Sequence, residues 1–193
     1  MKAVEERLKE IAYHQLMFGS FTRNPGIFQG KMGLSVFFFH YARYTNNPLF
    51  EDFAAELLDE VLQMIRADTP IAFSNGLCGI GWGVEYLEQE GFVEGDTNEV
   101  LREIDARIME YEPMRMADRT FESGLAGVAV YVGMRMQSAR YLDGIFCDTF
   151  LGQLNAVALP PYTTSAVRQL IVTNQLREKE PLSWKAGLEI LWS

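Results

Sequence analysis

Metal-type ligands are scarce in this chain: its 193 residues include only two cysteines, Cys78 and Cys147, and two histidines, His14 and His40. Two cysteines without Cys-x-x-Cys spacing make neither a disulfide framework nor a redox motif. A reducing cytoplasm is therefore the expected compartment. A metalloenzyme built on three or four His and Cys ligands would have to use nearly all of them. Positive charge is also short, with 17 Lys+Arg against 26 Asp+Glu and a net charge of −9. That balance argues against nucleic acid as the main ligand, because phosphate binding needs a basic footprint. It argues equally against an anionic membrane surface. No stretch approaches about 18 uninterrupted apolar residues, so no membrane span is expected. The opening MKAVEERLKE lacks the apolar run of a signal peptide.

Apolar residues, by contrast, are plentiful at 48%, with 22% charged, a globular and not a disordered balance. A chain of this length can bury about 70% of its unfolded surface, so one domain over residues 1–193 is expected without metal or disulfide staples.

The chain repeats itself. Gln29-Gly30-Lys31-Met32-Gly33-Leu34-Ser35, Asn75-Gly76-Leu77-Cys78-Gly79-Ile80-Gly81 and Ser123-Gly124-Leu125-Ala126-Gly127-Val128-Ala129 each open an apolar run. Their first glycines fall 46 and 48 residues apart. Trp184-Lys185-Ala186-Gly187-Leu188-Glu189 is a degenerate fourth copy without its first glycine. A period near 47 residues suits one helical hairpin per repeat, with repeats at roughly 1–46, 47–91, 92–139 and 140–193.

Before the glycine motifs the apolar residues recur at helical spacing on one face only. Val4, Leu8 and Ile11 predict a helix near 3–18, and Phe50, Phe53, Leu57, Val61 and Ile65 predict another. The second has a strong start, with Asn47 as N-cap and Pro48 in the first position. Asp96 with Glu99 makes a capping pattern before Val100, Ile104 and Ile108, and Pro113 lies past that helix. Residues 163–178 form a further amphipathic helix, and 146–158 a short one stopped by Pro160-Pro161. After the motifs the pattern changes: Leu34–Tyr41 and Leu125–Met136 are apolar nearly all round, as in a helix buried on every face. An isolated Val36–Tyr41 could be a strand, but the glycine spacing and the caps argue against it. The fold expected is all-α: an α/α toroid of about four hairpins, with parallel inner helices opened by Gly-x-x-Gly.

Gly-x-x-Gly places two small residues on one helical face. It can serve packing alone, or it can leave first-turn N–H groups free for a carboxylate, phosphate or peptide carbonyl. On the ligand reading the binding residues are Gly30, Gly33, Asn75, Gly76, Gly79, Trp82, Ser123, Gly124 and Gly127. Asn75 doubles as an N-cap. Trp82 and Tyr86, beside Glu85, suit either core packing or a platform for carbohydrate or peptide. Asp118 and Glu122, with Glu85, are the candidate acid/base carboxylates, in the manner of a toroidal glycosidase or lyase. Cys78, among glycines at a helix start, is either a thiol of lowered pKa or a small buried hydrophobe. Cys147 reads as core, His40 as a satisfied buried histidine, His14 as partly exposed, and Arg177-Glu178-Lys179-Glu180 as a solvated helix end. The apolar Ile190-Leu191-Trp192 edge of the last inner helix has no following outer helix to cover it, which suggests a homodimer or a partner chain.

The repeated motif, above all Ser74-Asn75-Gly76-Leu77-Cys78-Gly79-Ile80-Gly81-Trp82-Gly83-Val84-Glu85-Tyr86-Leu87, resembles the lanthionine synthetase C-like family. Gly30–Ala42 with Tyr44-Thr45-Asn46, and Gly124–Met136, resemble other repeats of that family, and the resemblance runs over residues 25–138. It implies an α/α toroid, usually of six or seven hairpins. Cyclase members hold one zinc with two cysteines and a histidine, and the metal activates a substrate thiol that adds to a dehydrated Ser or Thr. In the family a Cys-His pair precedes the first glycine of one late repeat. Here the corresponding pairs are Phe28-Gln29, Ser74-Asn75 and Glu122-Ser123. No zinc ligand carries over onto any residue, and no metal or other cofactor is expected. The resemblance thus implies a role in modifying a peptide natural product of lanthipeptide type. The chain would bind a peptide or protein partner and would not perform the cyclisation.

Overall fold

The computed structural model describes all residues except Met1, Asp96, 139–143, 158–161 and 175–180, and the side chain of Ser20. The described residues are helical, with no strand among them. The elements are α1 (Lys2–Phe18), α2 (Lys31–Thr45), α3 (Pro48–Gln63), α4 (Leu77–Gln89), α5 (Asn98–Ile108), α6 (Leu125–Met136), α7 (Asp148–Ala156), α8 (Thr164–Thr173) and α9 (Trp184–Leu191). Val36–Tyr41 lies inside α2, not in a strand. No helix of the described residues is long and apolar enough to cross a membrane. The chain divides into two compact units, Met1–Met64 with Tyr162–Ser193, and Ile65–Pro161.

The first unit is built on α2, whose residues are buried from Lys31 through Phe39, with His40 half-buried. Asn46 takes the left-handed conformation at φ 51° and ends α2, which an Asn tolerates better than most residues. Asn47 then caps α3 by accepting from the Leu49 N–H at 3.1 Å, and Pro48 holds the first position. Replacing Asn47 with Ala should lower unfolding stability by about 1 kcal/mol; a denaturant midpoint unchanged by Asn47→Ala would show that the cap contributes nothing. The helices α2 and α3 run antiparallel. Ser35 Oγ donates to the Ala54 carbonyl at 2.8 Å, Lys31 pairs with Glu60, and Phe50 lies against both Phe38 and Tyr41.

The helix α9 also packs on α2, and the two run parallel. A Cβ on Gly33 would strike Trp184, one on Gly187 would strike Phe37, and Trp192 Nε1 donates to His40 Nε2 at 3.0 Å. Both α1 and α8 pack on α9 as well. Gln15 Nε2 donates to the Leu182 carbonyl at 2.7 Å, so the start of α9 is pinned to α1. Within this unit α9 thus lies against α1, α2 and α8, and Ile190, Leu191 and Trp192 at its end are half-buried. The register of the fourth motif also shifts by one residue. Ser183, not Trp184, occupies the N-cap, and its Oγ accepts from the Ala186 N–H at 3.3 Å.

The second unit pairs α4 with α6, also parallel. A Cβ on Gly81 would strike Tyr131, and one turn on, Glu85 meets Arg135. The helix α5 runs antiparallel to α6, since Asn98 meets Arg135 while Asp105 meets Tyr131. Thr97 caps α5 without a side-chain bond; its hydroxyl instead donates to Glu88 at 2.6 Å. Asp96, expected to open that helix, lies outside the described residues, as do Pro160-Pro161 and Arg177–Glu180. The helix expected over 163–178 ends at Thr173, with Asn174 extended behind it. The expected alternation of one-faced and all-round apolar helices is seen in α3 and α4 but not in α9: Val61, Leu57 and Ala54 line a single buried stripe of α3, α4 is buried from Leu77 through Leu87, and α9 buries only Trp184, Gly187 and Leu188.

Candidate functional site

The starts of α2, α4 and α6 share one local construction. In each, the loop before the helix folds back so that a carbonyl seven residues upstream accepts from the first helical N–H. The bonds are Lys31 to Asn24 at 2.9 Å, Leu77 to Pro70 at 2.8 Å and Leu125 to Asp118 at 3.0 Å. The next N–H is taken the same way in two of the three, Met32 by Pro25 at 3.2 Å and Cys78 by Ile71 at 3.4 Å. These donors would be orphans at an ordinary helix start. The loop backbone occupies them, so the expectation of an uncovered N–H mouth fails at these groups.

The same fold-back explains the glycines. Each first glycine is extended, with φ between −140° and −112°, a conformation open to any residue, so the need for glycine is one of space. A Cβ on Gly30, Gly76 or Gly124 would run into the carbonyl of Asn24, Pro70 or Asp118. A Cβ on Gly33 or Gly127 would run into the carbonyl of Ile27 or Phe121. In every case the obstructing carbonyl lies six residues upstream. Gly79 is buried in the third position of α4, where Gly33 and Gly127 stand in α2 and α6. The packing alternative is thus realised, mainly against loop backbone, with neighbouring side chains (Trp184 on Gly33, Phe73 on Gly127) as the second component.

Exposed polar residues remain just outside each first glycine: Gln29, Asn75 and Ser123. Asn75 does not cap α4; the cap position is Gly76, without a side-chain bond, and Asn75 Oδ1 instead accepts from Ser74 Oγ at 3.3 Å. In the second unit the loops before α4 and α6 are joined. The Ser74 N–H donates to the Glu122 carbonyl at 2.9 Å, and the Phe73 and Phe121 rings lie 4.6 Å apart beneath. On the surface of this pair, Ser123 Oγ donates to Asp118 Oδ2 at 2.7 Å and the Thr120 N–H donates to Oδ1 at 2.8 Å. The Ser123 and Thr120 donors hold the Asp118 carboxyl below its ordinary pKa, which suits an acceptor of peptide N–H groups or a partner for a basic side chain, and not a general acid.

The third carboxylate, Glu85, lies elsewhere. It is fully buried eight residues into α4, where Arg135 Nη1 donates to its Oε1 at 2.8 Å. It cannot join Asp118 and Glu122 at the loops. Trp82 and Tyr86 stack at 5.0 Å and 6°, each 1% exposed, so they form core and no platform. Burial, with Asp105 nearby, raises the Cys78 thiol pKa, opposite to the thiolate expectation; Cys78 is the buried hydrophobe. Cys147 is exposed and not core: Phe146 and Phe150 take the buried face of that segment, stacked at 5.9 Å. His40 is half-buried and held down to about 3 by burial and by Arg168 and Arg43, so its neutral Nε2 accepts from Trp192. His14 is half-exposed, as expected.

Arg135, Asp105, Asn98 and Tyr131 escaped the sequence reading. Arg135 Nε donates to Asp105 Oδ2 at 3.1 Å, its Nη2 to Asn98 Oδ1 at 2.7 Å, and Tyr131 OH to Asp105 Oδ1 at 2.6 Å. A signal was present: Glu85 and Arg135 each sit inside helices apolar all round, where a charge must be paired.

A zinc centre of the cyclase kind does not fit these residues. Of the two cysteines, Cys78 is sealed in the core and Cys147 lies on the surface. No group of three His, Cys, Asp or Glu among the described residues is placed to hold a metal ion. Comparisons with protein-family models, curated proteins and solved structures find no match.

Proposed function

We propose that the chain is a lanthionine synthetase C-like α/α toroid that binds a peptide or protein partner in peptide natural-product modification and does not perform the zinc-dependent cyclisation. The observation that carries this reading is the repeated loop-to-helix construction: Gly-x-x-Gly opens three buried helices in phase, with the same upstream carbonyl bond at each. The binding surface of this proposal is the joined loop pair of the second unit, where Asn75, Ser123 and Asp118 offer amide, hydroxyl and carboxylate to an extended chain. The absence of matching ligand pairs before the first glycines, and the sealed thiol of Cys78, support the non-cyclising role.

The test uses a fluorescein-labelled linear peptide containing free cysteine and dehydroalanine. Fluorescence anisotropy should rise on adding the protein, Asn75→Arg with Ser123→Arg should weaken binding at least about tenfold, and the peptide cysteine should remain open to alkylation afterwards. Loss of the alkylatable thiol would overturn the non-cyclising role, and about one zinc per purified chain would do the same. A flat anisotropy curve would overturn peptide binding.

A further inference from the structure

Among the described residues, the interior of the second unit holds more acid than base. Glu85, Asp105 and Arg135 are each 0–1% exposed, which gives two carboxyl groups for one guanidinium, and burying a net charge is costly enough that such groups usually change protonation instead. Among the described residues, the groups facing them do not supply a second cation. From α4 come Cys78, on which Asp105 acts, and Glu88, acting on Glu85; from α5 Asn98; from α6 Tyr131; and after α6, Ser138.

Hydrogen bonding distinguishes the two carboxyls. Both Asp105 oxygens have donors, Tyr131 on Oδ1 and Arg135 on Oδ2. Glu85 has one charged donor, on Oε1. Its buried Oε2 has no hydrogen-bond partner, although the Ser138 side chain lies close enough to favour the charged form. An oxygen sealed from water and short of donors is where a carboxylic proton resides.

We propose that Glu85 is held as a neutral carboxylic acid inside the α4–α5–α6 core, so that opening this core releases one proton and its stability falls as pH rises. Burial as the leading influence on Glu85 raises its pKa in agreement. The sign follows. With the folded value above the unfolded one, the folded state binds more protons between the two values. The stabilisation is complete below the unfolded value near 4.5 and is lost as pH climbs through the folded value. The cluster clasps α4 to α6 about three turns beyond the joined loops of Asn75 and Ser123, so the device governs the packing that sets those loops.

The test is a carboxyl-carbon NMR titration of the full chain labelled with 13C-glutamate, with wild type assigned through its backbone and compared with Glu85→Gln. The Glu85 signal should titrate at higher pH than the other glutamates of the chain and should be missing from Glu85→Gln. In parallel, the wild-type unfolding constant should rise with pH relative to Glu85→Gln, by up to about tenfold per pH unit between the unfolded and folded values, because the glutamine mimics the neutral acid and removes the proton. A Glu85 carboxyl that titrates with the surface glutamates, or parallel stability profiles for the two proteins, would overturn the proposal. Should Glu85→Gln fail to fold, the wild-type titration alone decides.

Discussion

Replacing Arg135 with leucine should unfold the second unit's core under conditions where the wild type is intact. The guanidinium makes three bonds to three residues on two other helices, at 3.1 Å to Asp105, 2.8 Å to Glu85 and 2.7 Å to Asn98. Leucine leaves two carboxyl groups and an amide buried with no cation. Breaking a buried pair by removing one partner costs about 3–5 kcal/mol, a large share of the roughly 5–15 kcal/mol that holds a domain together. Arg135→Lys should rescue little, because an ammonium is a point charge and cannot span the Asp105, Glu85 and Asn98 positions as the planar fork does. The readout is built in. Trp82 is the only tryptophan of the second unit, the others being Trp184 and Trp192, so Trp184→Phe with Trp192→Phe makes tryptophan fluorescence report α4 alone. A Trp82 transition at the wild-type denaturant midpoint would show that the buried cluster contributes nothing to holding α4, α5 and α6 together.

That cluster also marks the limit of what the sequence showed. Helix existence was legible because it is written in side-chain periodicity and caps. Asn47-Pro48 opened α3 as expected, and the all-round apolar runs after Gly30 and Gly124 became α2 and α6. The helix ends were less legible where a backbone bend decides, as at Asn174, which stops α8 with no proline or glycine to announce it. Three-dimensional pairing was illegible in a single sequence. Glu85 read as a candidate acid/base carboxylate beside Trp82 and Tyr86, yet its partner lies 50 residues away on α6. Cys147 read as core because Ile145 and Phe146 precede it, but only one side of that segment faces inward, and Phe146 with Phe150 fills it.

The glycine motifs lie between these cases, and substitutions there should produce the second-largest effect. Their spacing was visible, but the demand for glycine comes from a backbone carbonyl six residues upstream, which no side-chain pattern encodes. Gly76→Ala should lower stability by about 1–3 kcal/mol or more, the usual range for overpacking. At this site the added Cβ meets the Pro70 carbonyl, a backbone group that also accepts from the Leu77 N–H at 2.8 Å and cannot retreat without losing that bond. Gly152→Ala is the matched control in the same unit. Gly152 is exposed in the middle of α7, with nothing within 4 Å of an added Cβ, so alanine there should raise stability by about 0.5–1 kcal/mol through better helix propensity and a less flexible unfolded chain. Opposite signs for the two variants in the Trp82 assay would establish that the motif glycine makes room for the loop. A Gly76→Ala protein as stable as Gly152→Ala would remove that explanation. Such a variant should then be tested for loss of peptide binding at constant stability, because a glycine that the fold does not need must be there for something that approaches the loop from outside.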